Sequence, residues 1–170
     1  RVRAGESLVV YGSGGVGLSI VQAAAMHGAH PIIGVDLHND RLALAAEMGA
    51  THLVNGSESV VEDRLCEILG DGGADVFIDN TGLTEVVEIG YRLTSKVGRL
   101  VLVGVPDSAE RICLAPLPLY FGKVVTGSHG GEAEPADDIP RLMGLLGSGA
   151  LKLENLVSTT VPLEKVNDAI

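Results

Sequence analysis

The chain has no tryptophan, and only three tyrosines and two phenylalanines among its 170 residues. Its core must therefore be built from small aliphatic side chains. No run of about 18 apolar residues occurs, so no membrane span is expected. Basic residues are scarce: 12 Lys and Arg face 22 Asp and Glu, for a formal net charge of −10. That excludes a general phosphate-backbone binder, which needs clustered cations, so no nucleic-acid partner is expected. It does not exclude a single dinucleotide held by backbone N–H groups. Cysteine is nearly absent. Cys66 and Cys113 stand far apart without CxxC spacing, and reduced, buried thiols in a cytoplasmic protein are the expectation. The polar opening Arg1–Glu6 gives no sign of a signal peptide.

What the chain has in abundance is glycine, 23 residues, and apolar residues, 46%. No Gly-X-Y period or low-complexity tract accompanies the glycine, so the composition is that of a globular domain. Short apolar runs alternate with helical stretches. Ser7–Tyr11, Pro31–Val35, His52–Val54, Asp75–Asp79, Arg99–Val103 and Val124–Gly127 read as strands, the first buried on both faces. Gly15–His27, Asp40–Met48, Val60–Leu69, Glu85–Leu93 and Ile139–Leu146 read as helices, and Gly28 and Gly49 end the first two. The alternation predicts an α/β fold: a doubly wound, six-stranded parallel Rossmann sheet in order 3-2-1-4-5-6, with helices on both faces. Pro106–Pro118 reads as a loop with at most a short helix. Val157–Val161 reads as strand-like, followed by Pro162 and the start of a helix that the end of the chain cuts short. The expected division is a dinucleotide-binding domain over 1–155 and a C-terminal segment over 156–170 leading toward a further domain.

Tyr11-Gly12-Ser13-Gly14-Gly15-Val16-Gly17 contains G-x-G-x-x-G directly after a strand and at the opening of a helix. Each glycine has a separate role. Gly12 permits the tight turn, Gly14 the close approach of a pyrophosphate, and Gly17 close helix–sheet packing. The pyrophosphate then rests on free N–H groups at the helix N-terminus, Gly15 and Val16 among them, where the helix dipole favours negative charge. Asp36 ends the second strand roughly 20 residues after Gly17, the offset of the acid that binds the adenine-ribose hydroxyls. A carboxylate there repels a 2′-phosphate, which favours NAD over NADP. The alternative is a solvated strand-end residue. Arg41 could reach the ribose from the second helix, or be an ordinary solvated helix charge. Asp79-Asn80-Thr81-Gly82 and Val103-Gly104-Val105-Pro106 follow the fourth and fifth strands, at the sheet edge where ligands sit. Both could line a cofactor cleft, Gly104 by letting backbone approach the nicotinamide, or both could be ordinary turns. Asp79 reads as a strand-end or capping carboxylate.

These segments, Gly5–Ala29 with Val35–Asn55, then ADVFIDNTG, GRLVLVGVP and VPLEKVNDAI, resemble the cofactor domain of the medium-chain, zinc-containing alcohol dehydrogenases. The resemblance implies that Gly12, Gly14, Gly15, Val16 and Gly17 hold the pyrophosphate, and Asp36 and Arg41 the adenine ribose. It places Asn80 and Thr81 beside the adenosine half, and Val103, Gly104 and Val105 on the carboxamide side of nicotinamide. Thr126–His129 matches the last segment near that ring more loosely. The family's zinc ligands lie in a preceding domain, and neither cysteine matches a zinc position. Zinc is thus expected only in a full-length enzyme, no catalytic residue is assigned to this segment, and His129 is expected to be a surface histidine. By this reading the full protein transfers a hydride between a small alcohol or carbonyl substrate and NAD, and this segment alone binds NAD without turnover. A homodimer through the edge strand 124–127 is implied. The rival readings are a zinc-independent quinone or enone reductase, a non-catalytic dinucleotide sensor, and a methyltransferase domain.

Overall fold

A computed structural model describes residues 1–57 and 60–168, in two compact units, Arg1–Glu134 and Pro135–Ile170. The first contains the whole sheet: β1 (Leu8–Tyr11), β2 (Ile32–Asp36), β3 (His52–Asn55), β4 (Ala74–Asp79), β5 (Thr94–Leu102) and β6 (Val124–Gly127). All neighbouring pairs are parallel, and the order is β3-β2-β1-β4-β5-β6, as the alternating pattern predicts. Every residue of β1 and β2 is buried, so both faces of the sheet centre are covered. The chain leaves β1 toward β2 and β3 and returns to β4 on β1's other side. The order reverses between β1 and β4, which is where such sheets open a crevice at their carboxyl edge.

The helices are α1 (Gly15–Met26), α2 (Asn39–Glu47), α3 (Val61–Leu69), α4 (Thr84–Leu93), α5 (Leu117–Tyr120) and, in the second unit, α6 (Pro135–Gly147). α1 turns Leu18, Val21 and Ala24 inward and ends at Gly28, whose φ of 75° suits the left-handed stop that glycine supplies. α2 buries Leu42 and Ala45. Ala45 lies so near Gly34 of β2 that a side chain at 34 would meet it at 3.3 Å, so small residues set this helix–sheet spacing. The largest fully buried side chain is Phe77 of β4, against which Gly90 of α4 has no room for a Cβ.

Four sequence expectations are corrected. Both cysteines are free but exposed: Cys66 lies on the outer side of α3, which turns Leu65 inward, and Cys113 lies in the loop before α5. Val157–Val161 forms no strand, because a β-branched run without a neighbouring strand has no ladder to join. In place of a helix opening, Leu163–Asp168 forms 3₁₀ turns, while Ala169 and Ile170 lie outside the described residues. β5 also starts earlier than predicted. Thr94 pairs with Ala74, the register then shifts, and Arg99 pairs with Val76.

The lead-in to β1 is fastened by Glu6. Its carboxylate accepts from Arg99 Nη1 at 3.1 Å and Nη2 at 2.7 Å, and from the Arg3 N–H at 2.8 Å. The Arg99 guanidinium holds the Glu6 carboxyl down at about 2. Because the folded value is depressed, its stabilisation is complete above the ordinary 4.5 and is lost as pH falls toward about 2. Glu6→Gln should cost about 1 kcal/mol at neutral pH, the modest value appropriate to a partly solvated pair. The gap between wild type and variant, read from urea midpoints, should close across that acid window.

Candidate functional site

At the carboxyl edge, between the ends of β1, β2 and β4, lies a cleft of about 430 Å³. Gly12, Gly14, Gly15, Val16, Gly17, Asp36, Arg41, Asn80 and Thr81 all line it. Nine of the sequence-predicted residues thus converge from three separate strand ends.

The glycine loop forms the floor. Gly12 turns the chain out of β1 at φ 95°, and its N–H donates to Val35 O at 2.8 Å. Gly14 is the N-cap of α1, with no side-chain cap and no acidic residue in the first turn. The first amides of a helix have no intrahelical acceptor. Leu18 N–H is the one that closes back on Gly14 O, at 2.8 Å. The end of α1 therefore offers donors and positive dipole charge with no side-chain oxygen capping it, a ready site for an anion. A Cβ on Gly17 would sit 1.9 Å from Gly12 O, so this glycine is demanded by the protein's own packing. A Cβ on Gly14 would meet nothing within 4 Å, so no internal clash demands glycine there. An anion seated on the loop would supply that demand.

Asp36 is not a solvated strand end. It is 5% exposed, its Oδ2 accepts from Ser13 N–H at 2.8 Å, and its Oδ1 accepts from His38 N–H at 3.0 Å. Arg41 Nη1 stands 3.8 Å from Oδ2, with its side chain half exposed. Each carboxylate oxygen retains a lone pair for a further donor. Ser13 therefore ties the acid directly to the glycine loop.

The opposite wall is the turn after β4. The fully buried Asp79 carboxylate accepts from the Thr81 N–H at 2.8 Å, the Thr81 hydroxyl at 2.6 Å and the Gly82 N–H at 3.1 Å. It is a turn-holding carboxylate, as read from the sequence. Asn80 Nδ2 donates to Gly12 O at 3.3 Å, which links this turn to the glycine loop, while Asn80 Oδ1 is buried with no partner. A buried acceptor left without a donor costs free energy, and one facing a cleft invites a donor from a bound molecule or water.

Val103, Gly104 and Val105 are not among the residues lining the cleft. The N–H groups of Val103 and Gly104 both donate to Asp79 O, at 2.8 and 2.9 Å. A Cβ on Gly104 would lie 2.1 Å from Gly82 N, so the close approach this glycine permits is to the neighbouring turn. Val105 is exposed beyond it, and His129 is exposed just past β6.

Sequence reasoning missed Ser13 and four lining residues: Tyr11, Leu37, His38 and Leu83. Leu37 and Leu83 are apolar and exposed on the cleft, a surface suited to a flat ring. Burial, with the nearby Glu85 and Asp79 carboxylates, pushes the Tyr11 hydroxyl above its usual value, so it remains a neutral wall. Among the described residues no group of three or more His, Cys, Asp or Glu is placed to hold a metal ion. Nor, among them, is any helix long and apolar enough to cross a membrane.

Residues 15–148 match the family model described as zinc-binding dehydrogenase. The alcohol dehydrogenase class-2 isozyme 2 of Oryctolagus cuniculus is 35% identical over 100% of this chain and 45% of its own length. A solved structure of an alcohol dehydrogenase zinc-binding domain protein from Burkholderia ambifaria is similar at TM-score 0.91 and 38% identity, covering 99% of this chain and 45% of that one. A zinc-binding dehydrogenase from Sinorhizobium meliloti 1021, solved bound to NADP, is similar at TM-score 0.86 and 29% identity, covering 99% and 49%. The chain spans about half the length of the curated relatives it matches.

Proposed function

The chain belongs to the zinc-binding dehydrogenase family, and we propose that it is the NAD-binding half of an alcohol dehydrogenase. The carrying observation is the pairing of an uncapped helix N-terminus, open above Gly14, with the buried Asp36 carboxylate bound to Ser13 N–H. In this reading the amides of Gly15, Val16 and Gly17 take the pyrophosphate. The free lone pairs of Asp36 accept from the two hydroxyls of the adenine ribose, and Arg41 flanks them. Leu37 and Leu83 border the adenine, while Asn80 Oδ1 and the Thr81 side take a donor from the adenosine half. Val103, Gly104 and Val105 continue toward the nicotinamide, the first two held in place by their N–H bonds to Asp79 O. When bound, the cofactor supplies the hydride acceptor or donor for an alcohol or carbonyl substrate. No catalytic role is proposed for the residues of this chain, and zinc is proposed to belong to the full-length enzyme.

The dinucleotide-binding region is proposed to extend over 1–155, with 156–170 leading toward further protein. Two free cysteines support a cytoplasmic setting. The open side of β6, with Val124 exposed, supports a homodimer formed edge to edge. The Arg41 guanidinium in the same cleft favours NADP as the second reading, since it would pair with a 2′-phosphate. Calorimetric titration with NAD, NADP and S-adenosylmethionine separates the readings. NAD should bind at least tenfold more tightly than NADP, and S-adenosylmethionine should not bind. Preference for either of the other two would overturn the assignment.

A further inference from the structure

A second cavity, of about 610 Å³, opens at the other edge of the sheet, around the starts of β4 and β5. β4 follows Gly73, which lines this cavity, and ends just before Asn80, which lines the cofactor cleft, so the two sites lie at opposite ends of the same strand. We propose that this cavity binds a small carboxylate with an apolar body, its headgroup taken by the Lys123 ammonium.

The walls are mostly apolar, with Leu69, Leu93, Leu117, Pro118 and Phe121 lining them. The volume falls within the range of small-molecule pockets. Into this setting the fold places a lysine that is only 8% exposed. Lys123 Nζ donates to Tyr91 O and Thr94 O, both at 2.6 Å, and lies 4.7 Å from the centre of the Tyr91 ring. Tyr91 O lies in the last turn of α4 and Thr94 O just beyond it, at the start of β5, so the lysine also closes that helix at its negative end. Two acceptors leave one N–H of the ammonium over. Among the described residues no carboxylate lies within ion-pair distance of it, and burial pushes its pKa below the usual value. A buried charge without a counterion is costly, and an entering anion relieves that cost.

Of the other charged groups lining the cavity, Arg92 is already held two-pronged by Glu62, at 3.0 and 2.8 Å. Lys96 is exposed and adds positive charge, and Asp71 is a single exposed carboxylate. The balance of charge favours an anion, and the apolar walls favour one with a hydrocarbon or aromatic body over phosphate or sulfate.

The probes are decanoate and its neutral counterpart decanol, titrated calorimetrically into the 170-residue chain below their aggregation thresholds. Decanoate should bind one to one, about tenfold or more tightly than decanol, as one charge-assisted contact implies. Saturating NAD should not displace it. Lys123→Met should reduce decanoate affinity about tenfold or more and leave decanol unchanged. Because Lys123 also closes α4, thermal unfolding of Lys123→Met is measured in parallel, and the Nζ resonance of the unsubstituted protein supplies a readout that needs no variant. The Lys123 Nζ resonance should move on adding decanoate and not on adding decanol. Absence of decanoate binding, equal affinity for the two probes, displacement by NAD, or an unmoved Nζ resonance would each overturn the proposal. Displacement by NAD would do so while leaving the cofactor assignment standing.

Discussion

Asp36→Ala should weaken NAD binding about a hundredfold or more and bring NADP to parity with NAD or ahead of it. Hydrogen bonds to a charged acceptor contribute about 1.5–3 kcal/mol each, and about 1.4 kcal/mol is a factor of ten. The proposed ribose site offers two such bonds, one per carboxylate oxygen. The gain for NADP has a separate origin. A 2′-phosphate brought to a 5% exposed carboxylate meets like charge where little water can screen it. With that carboxylate gone, Arg41, now 3.8 Å from it, is left as the nearest charge and attracts the phosphate. The substitution also strips an acceptor from the Ser13 and His38 amides, so thermal unfolding must be measured in parallel. Asp36→Asn reduces this cost, because its one carbonyl oxygen can still serve Ser13 while the charge is gone, and only the His38 amide loses its acceptor. It should be more stable than Asp36→Ala and still lose the discrimination. Unchanged NAD:NADP preference in both variants would remove Asp36 from the site.

The parts of this site that were legible in the sequence are those in which one short segment encodes its own geometry. Gly12, Gly14 and Gly17 are readable because the spacing describes a turn, an uncapped amide row and a close packing contact within six residues of chain. Asp36 is readable because a parallel crossover of ordinary length returns the second strand beside the first. Tyr11, Leu37, His38 and Leu83 were not readable in the same way. They line the cleft only because the ends of β1, β2 and β4 meet there, and nothing local distinguishes Leu37 from any exposed leucine. Gly104 differs again. The sequence points to a glycine that admits a cofactor, and the structure adds a second demand for it: the backbone it yields to is Thr81–Gly82, a contact between two loops more than twenty residues apart. Val157–Val161 failed for a related reason. β-propensity measures fit to a neighbouring ladder, and no neighbour can be read from five residues.

Gly14 and Gly17 differ in a way that makes them the sharpest pair of substitutions in the chain. Gly14→Val should leave the fold intact and abolish measurable dinucleotide binding, a loss of about a hundredfold or more. Gly17→Val should damage both. At 14 the backbone is extended, at φ −73° and ψ −169°, a conformation that β-branched residues favour, and a Cβ meets no atom within 4 Å. The protein therefore has no internal reason to keep glycine there, and the added side chain occupies the space above the α1 amides. At 17 the Cβ falls 1.9 Å from Gly12 O, closer than any hydrogen bond, so either α1 must lift from the sheet or the glycine turn must open. Gly12 O is also the acceptor for Asn80 Nδ2, so moving it separates the two walls of the cleft. Overpacking of this kind costs about 1–3 kcal/mol or more. Denaturant unfolding and NAD calorimetry on both variants read the two consequences separately. Were Gly14→Val to bind NAD normally, the amide row would not be the pyrophosphate site. Were it to unfold, the demand for glycine at 14 would come from the protein and not from the ligand.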